Sequence, residues 1–142
     1  YYPVALSDNY RVNGLGPDRA DNMVRIADIE KEGIPFSYHS DMPMAPGQPL
    51  FLMWSGVNRM TNDGNVRSPE QRVSRLGALQ AVTLGAAYSL QLENEVGSIL
   101  PGKLANFTVL SDNPVTCDAI DIKDINVWGT VLEGRIQQIP VE

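Results

Sequence analysis

An α/β fold is what the sequence predicts, on three observations. A helical apolar spacing ends at a glycine and is followed at once by a short apolar run, from residue 17 to residue 40. A Leu/Ala-rich stretch from Ser74 to Leu92 has helical composition, and beyond Glu93 the texture becomes β-rich. The chain therefore divides by texture into residues 1–93 and 94–142, with no Gly/Ser or Pro linker between them.

Residues 1–16 have no clear period, and "NGLGP" is turn chemistry, so this stretch reads as loop. Pro17 suits a first helical position. Ala20, Met23, Val24 and Ala27 then recur at helical spacing until Gly33, which predicts one helix over 17–33 with a glycine cap. "IPFSYHS" reads as a strand with Pro35 near its start, and "DMPMAPGQP" as loop. "LFLMWSGVNRM" predicts a short apolar helix closed by the "NDG" turn. Ser68, Pro69 and Gln71 form a capping-box pattern that starts the next helix, and the run to Leu92 predicts one helix, straight or kinked, with Gly77 and Gly85 as sites of close packing. In the last part, the alternation about Phe107 and Val109 and the run "NVWGTVLEGRIQQIP" predict strands, the latter two joined near Glu133 and Gly134.

Composition narrows the function classes. The chain has 142 residues, enough for a core without metal or disulfide staples, and 43% of them are hydrophobic with 20% charged. No apolar stretch reaches the roughly 20 residues needed to span a bilayer, so neither a membrane nor a membrane partner is expected. A formal net charge of −6 with no Lys/Arg cluster argues against nucleic acid as a partner. The single Cys117 has no internal partner and reads as a buried thiol. The start "YYPVALSDNY" lacks both an initiator methionine and a signal-peptide pattern, which favours a cytoplasmic location and a longer parent chain.

The motif order carries a resemblance. A strand ending in "HSDMP", the helix in "ALQAVTLGAAYSL", the stretch "GSILPGKLANF" at 97–107 and then "VWGTVLEGRI" resemble the carboxyl-terminal part of the metal-dependent amidohydrolases, in particular the YtcJ-like subgroup. The resemblance spans essentially the whole chain. It implies that residues 1–93 hold the last strand and helices of a (β/α)8 barrel, with the seventh helix over 17–33 and the eighth strand over 34–40. Residues 94–142 would supply the carboxyl-terminal strands of a small β-sandwich. It implies hydrolysis of carbon-nitrogen bonds other than peptide bonds, on a small amide-like substrate, with a divalent metal expected to be zinc.

By the same resemblance Asp41 matches the family's aspartate after strand eight, a metal contact and catalytic proton shuttle. Such a place also fits the rule that barrel chemistry gathers at the carboxyl ends of strands. Period-two alternation would put His39 on the same face as Asp41, with Ser40 toward the helices, making His39 a candidate substrate contact; a packing histidine is the more frequent case. The family's remaining ligands, a His-x-His pair and further histidines, cannot come from a chain with one histidine, so most metal ligands are expected outside it. By itself the chain is expected to be inactive, as a fragment of a longer hydrolase. The alternative is a non-catalytic module persisting as a homo-oligomer or docked on another chain. Asn106 stands where many relatives have aspartate, at a position that reads as structural.

Three further groups read as structural. Lys103 lacks phosphate-loop spacing and reads as a turn residue. Met53 and Trp54 read as core before pocket wall. Asp18 and Asp21 near a helix start read as partners of the helix dipole.

Overall fold

The computed structural model describes residues 1–138. Seven short α-helices come first, α1 (Tyr2–Ala5), α2 (Ser7–Asn13), α3 (Pro17–Asp21), α4 (Ile26–Lys31), α5 (Pro49–Asn58), α6 (Arg75–Val82) and α7 (Leu84–Ser89). A three-stranded antiparallel sheet follows, in the order β1 (Phe107–Leu110), β2 (Val127–Leu132) and β3 (Arg135–Gln138). Single 3₁₀ turns lie at Pro69–Gln71 and Ala119–Asp124.

The core forms around α5, the most apolar helix. Met53, Trp54 and Val57 pack with Val4, Val73, Ala78 and Ile122, and Met53 and Ile122 are wholly buried. Ile122 belongs to the 3₁₀ turn between β1 and β2, so the chain returns to the helical core after its first strand. Two hydrogen bonds fix that return: Trp54 Nε1 donates to the Ile120 carbonyl at 2.9 Å and Asn58 Nδ2 to the Ala119 carbonyl at 2.8 Å. Trp54 and Met53 are core residues.

Residues 2–13 are mostly helical, against the loop expectation, while 14–16 keep the turn that "NGLGP" predicts. Pro3 sits in the first turn of α1, and Ser7 Oγ donates to the Pro3 carbonyl at 2.6 Å, which joins α1 to α2. A four-residue helix is too short to show a period, so its sequence carries no pattern to read.

The single helix expected over 17–33 is two helices separated by Asn22–Arg25. The reason is Arg59, which is 2% exposed and forms no ion pair among the described residues. Its guanidinium donates to the carbonyls of Met23 at 3.1 Å, Val24 at 3.0 Å and Arg67 at 2.9 Å. An unbroken helix would engage the first two carbonyls internally, so the break frees them to solvate a buried cation. Val24 takes a left-handed φ of 54° there, a conformation that a β-branched residue adopts only when its surroundings impose it. Gly33 ends α4 with φ 67°, as the sequence predicts.

The helix expected from Ser68 begins later. Ser68 lies in the left-handed region and its hydroxyl donates to the Asp21 carbonyl instead of capping a helix. Ser74 is the N-cap of α6 and accepts from the Gly77 amide at 2.9 Å. In a capping box a glutamate at the third helical position reaches back to the cap amide. Glycine occupies that position here, and Glu30 of α4 fills the space, accepting from Ser74 N at 3.0 Å and Ser74 Oγ at 2.5 Å. A Cβ on Gly77 would stand 1.9 Å from Glu30 Oε1, so the glycine makes room for the carboxylate. The helix run then breaks at Thr83, whose hydroxyl donates back to the Leu79 carbonyl at 2.7 Å.

Residues 34–40 form no strand ladder among the described residues, contrary to the expectation. A strand is defined by its pairing, and no segment described here lies alongside to pair with it. The segment instead lies against helices. A Cβ on Gly85 of α7 would fall 2.2 Å from the Phe36 carbonyl, so that glycine permits backbone contact. Phe36 and Tyr38 stack edge to face at 5.8 Å on the core side.

At the other end of the chain, the β2–β3 hairpin turns through Glu133 and Gly134, as predicted. Both have positive φ, 49° and 80°, the pattern of a type I′ turn. Asn106 Oδ1 accepts from the Glu133 amide at 2.7 Å, a structural task that an aspartate oxygen would do equally well. The end of the predicted final strand, at Ile139 and Pro140, lies outside the described residues.

Candidate active site

Asp41 and His39 occupy the connection between the 34–40 segment and α5, and both are exposed. Alternation holds as far as His39, which lies exposed while Tyr38 faces the core. It stops at Asp41, whose φ of 56° is left-handed. The expected shared face of His39 and Asp41 assumes extended backbone through residue 41, which the structure lacks. Aspartate tolerates this region better than most side chains, and the turn is closed by the Met44 amide donating to the Asp41 carbonyl at 2.8 Å.

Among the described residues, one side chain reaches the Asp41 carboxylate. The Tyr2 hydroxyl, 39 residues away in sequence, donates to Oδ2 at 2.9 Å. The hydrogen bond to Asp41, and then the carboxylate charge itself, push the Tyr2 phenol above its ordinary value, so it stays protonated as a donor at neutral pH. His39 makes no side-chain hydrogen bond among the described residues.

Several polar groups elsewhere have plain structural partners. Asp8 on α2 accepts from Thr61 Oγ1 at 2.5 Å, Asn65 Nδ2 at 3.1 Å and Arg67 Nε at 2.7 Å. Burial alone would raise its carboxyl, but these three donors together outweigh that and hold it below the usual carboxylate range. Asp21 pairs with Arg11 and stands at the end of α3, so the ion pair replaces the expected helix-dipole role; Asp18 does lie in the first turn. Lys103 Nζ donates to Ser98 Oγ at 2.6 Å and the Val96 carbonyl at 3.2 Å, tying the 93–103 turn together as expected. Cys117 is free and half-buried, less enclosed than expected. Tyr38 carries a buried hydroxyl without a partner among the described residues, and burial followed by the nearby Glu30 charge pushes its phenol up.

A cleft of about 390 Å³ lies between the start of the 34–40 segment and α6 and α7, lined by Glu30, Phe36, Leu84, Tyr88 and Glu93 among others. It does not include His39 or Asp41.

Known proteins resolve the family. A profile of the Amidohydrolase family matches residues 2–137. The chain belongs to the amidohydrolase family. It is 33% identical over 105 residues to N-substituted formamide deformylase of Arthrobacter pascens, covering 74% of this chain and 19% of that protein. It is 28% identical over 136 residues to the putative amidohydrolase YtcJ of Bacillus subtilis, covering 94% of this chain and 26% of that one. The chain thus spans about a quarter or less of these relatives. Among solved structures, an amidohydrolase from Thermotoga maritima superposes with a TM-score of 0.58 at 22% identity, over 78% of this chain and 24% of that one. A 5-methylcytosine deaminase from Klebsiella pneumoniae gives 0.61 at 19% identity, over 83% and 28%. These likenesses carry the amidohydrolase fold.

The described residues do not by themselves gather a metal site. No group of three or more His, Cys, Asp or Glu side chains gathers among those described, and the neighbour of the Asp41 carboxylate is a phenol, a poor candidate for a second ligand.

Sequence reasoning missed two residues, Tyr2 beside Asp41 and the buried Arg59, and the first carries no readable sign. Tyr2 lies in a stretch without period, and a contact across 39 residues has no local signature. Arg59 does leave one: it is the lone charged residue closing an otherwise apolar run, which marks either a helix end or a buried cation.

Proposed function

We propose that the chain is the carboxyl-terminal part of a metal-dependent hydrolase of carbon-nitrogen bonds other than peptide bonds, with Asp41 as its proton shuttle. Amidohydrolases generally use a divalent metal. Here it would be zinc, held largely by residues outside this chain, with Asp41 as one contact. Residues 1–93 would contribute the last strand and helices of the barrel, and residues 94–142 strands of the smaller sandwich.

The observation that carries this reading is Asp41 itself. It is an exposed carboxylate just past the segment matched to a barrel strand, with one oxygen engaged by a neutral donor and the other free of side-chain partners among those described. A carboxylate with a free oxygen can accept a proton from an attacking water and return it to the departing nitrogen. The names of two relatives, a formamide deformylase and an adenine deaminase of Clostridium botulinum at 30% identity over 70 residues, support carbon-nitrogen hydrolysis as the class. Among substrates, small N-substituted amides are the first to try, and His39, exposed two residues earlier, is positioned to touch one.

Turnover by the complete protein is the test, on N-substituted formamides and amino-substituted heterocycles. Asp41→Asn is expected to lower kcat by about 10²- to 10⁴-fold, the usual worth of a positioned general base. Full activity in that variant would remove Asp41 from the mechanism. Active protein without stoichiometric divalent metal would remove the metal.

A further inference from the structure

We propose that Tyr2 is the positioning residue of Asp41: its hydroxyl holds Oδ2 and leaves Oδ1 as the oxygen that carries the proton. The inference rests on the reading of Asp41 as the shuttle.

Three features support it beyond the 2.9 Å contact. First, the donor is mounted on a backbone packed into the core. Val4 is 2% exposed and belongs to the α5 cluster. Its carbonyl accepts from the Asn62 amide at 3.0 Å, while Ser7 Oγ holds the Pro3 carbonyl. The two tyrosines that open the chain divide the work: Tyr1 lies at 5.5 Å against Phe51, whereas Tyr2, 40% exposed, reaches Asp41. Second, Asp41 has little else to fix its carboxylate. Its backbone is set by the left-handed turn, but among the described residues the phenol is its one side-chain partner. A free aspartate side chain turns about two torsions, and a general base works only when aimed.

Third, the donor is neutral. Asp8 shows the contrast, because beside two neutral donors it is met by the full positive charge of Arg67. The Tyr2 phenol orients the Asp41 carboxylate through one hydrogen bond without bringing a formal charge against it. It also remains a donor to Oδ2 when Oδ1 is protonated, so the same contact serves both halves of the transfer.

The decisive comparison in the complete protein is Tyr2→Phe, which keeps the ring and removes the donor. Positioning predicts a fall in kcat of about 5- to 50-fold, with KM within about twofold and an unchanged unfolding midpoint. It also predicts no further loss when Tyr2→Phe is added to Asp41→Asn. Crystal structures of the variant are expected to show the Asp41 carboxylate turned away from its original orientation or split between two. Wild-type kcat, or a loss confined to KM or to thermal stability, would overturn the inference and leave only a loop tie. The shuttle reading fails separately, through an Asp41→Asn variant that keeps full turnover.

Discussion

The α5 helix and the connection that leads into it are neighbours in sequence and opposites in construction. Along α5, every residue from Leu52 to Asn58 is buried, and Trp54, Ser55 and Asn58 each send a side-chain donor to a carbonyl. In the connection, His39 and Asp41 are exposed, and a single phenol contact holds the carboxylate. The first region fixes the fold by exclusion of water, with many small contacts that add. The second is open to solvent, and the one contact that holds its carboxylate comes from α1, which packs on the first region through Val4. Substitutions in α5 should therefore change stability, and those in the connection turnover.

The largest effect is expected from Met53→Ala. Met53 is wholly buried at the centre of the cluster, so truncation should cost about 2–5 kcal/mol, read as a lower denaturant midpoint. A loss under 1 kcal/mol would mean that the cluster is not the stabilising core.

Next comes Gly56→Ala. An added Cβ would lie 2.1 Å from the Tyr38 hydroxyl oxygen, and overpacking of this kind costs about 1–3 kcal/mol. Tyr38→Phe should be neutral or stabilising alone, because it deletes a buried hydroxyl without a partner, and it should relieve part of the Gly56→Ala penalty. Strict additivity in the double-mutant cycle would refute the contact between α5 and the 34–40 segment.

A smaller, pH-dependent effect belongs to Asp8, which ties α2 to the turn beyond α5. Its carboxyl is held low in the folded chain, so its contribution is present at neutral pH and is lost as pH falls through that lowered value. Asp8→Asn should cost no more than about 1 kcal/mol at pH 7, since solvent reaches the pair. The gap between variant and wild type should begin to narrow below about pH 4 and close only beneath the lowered folded value. A gap that persists into acid would mean that the loss is one of packing.

What could be read in the sequence follows the same division. The apolar run of α5, the glycine that ends α4 and the Glu133-Gly134 hairpin are local signals, and all three are present in the structure. The pairing of Arg59 with carbonyls 35 and 36 residues away split a helix that local spacing predicts as continuous. Glu30 at the cap of α6 moved a helix start that the Ser68 pattern had placed six residues earlier. Both departures come from tertiary partners, which local pattern cannot encode. The candidacy of Asp41 was legible only through its family motif. Neither its left-handed backbone nor its phenol partner was, because one depends on the turn that follows and the other on a helix 39 residues upstream.

The smallest stability effect should accompany the largest change in chemistry. Asp41→Asn preserves an oxygen that can accept from the Tyr2 hydroxyl, and asparagine is as tolerant of a φ near 56° as aspartate. The side chain is exposed, so the unfolding free energy should stay within about 0.5 kcal/mol of wild type. The amide nitrogen that replaces the other oxygen cannot accept a proton, so turnover should collapse while the fold stays intact. Asp41→Val is the complement: it deletes the same chemistry and also forces a β-branched side chain into the left-handed region, so its unfolding midpoint should fall as well. If the two variants were equally stable, the turn at Asp41 would not be held left-handed by its surroundings, and the aim of its carboxylate would have to come from Tyr2 alone.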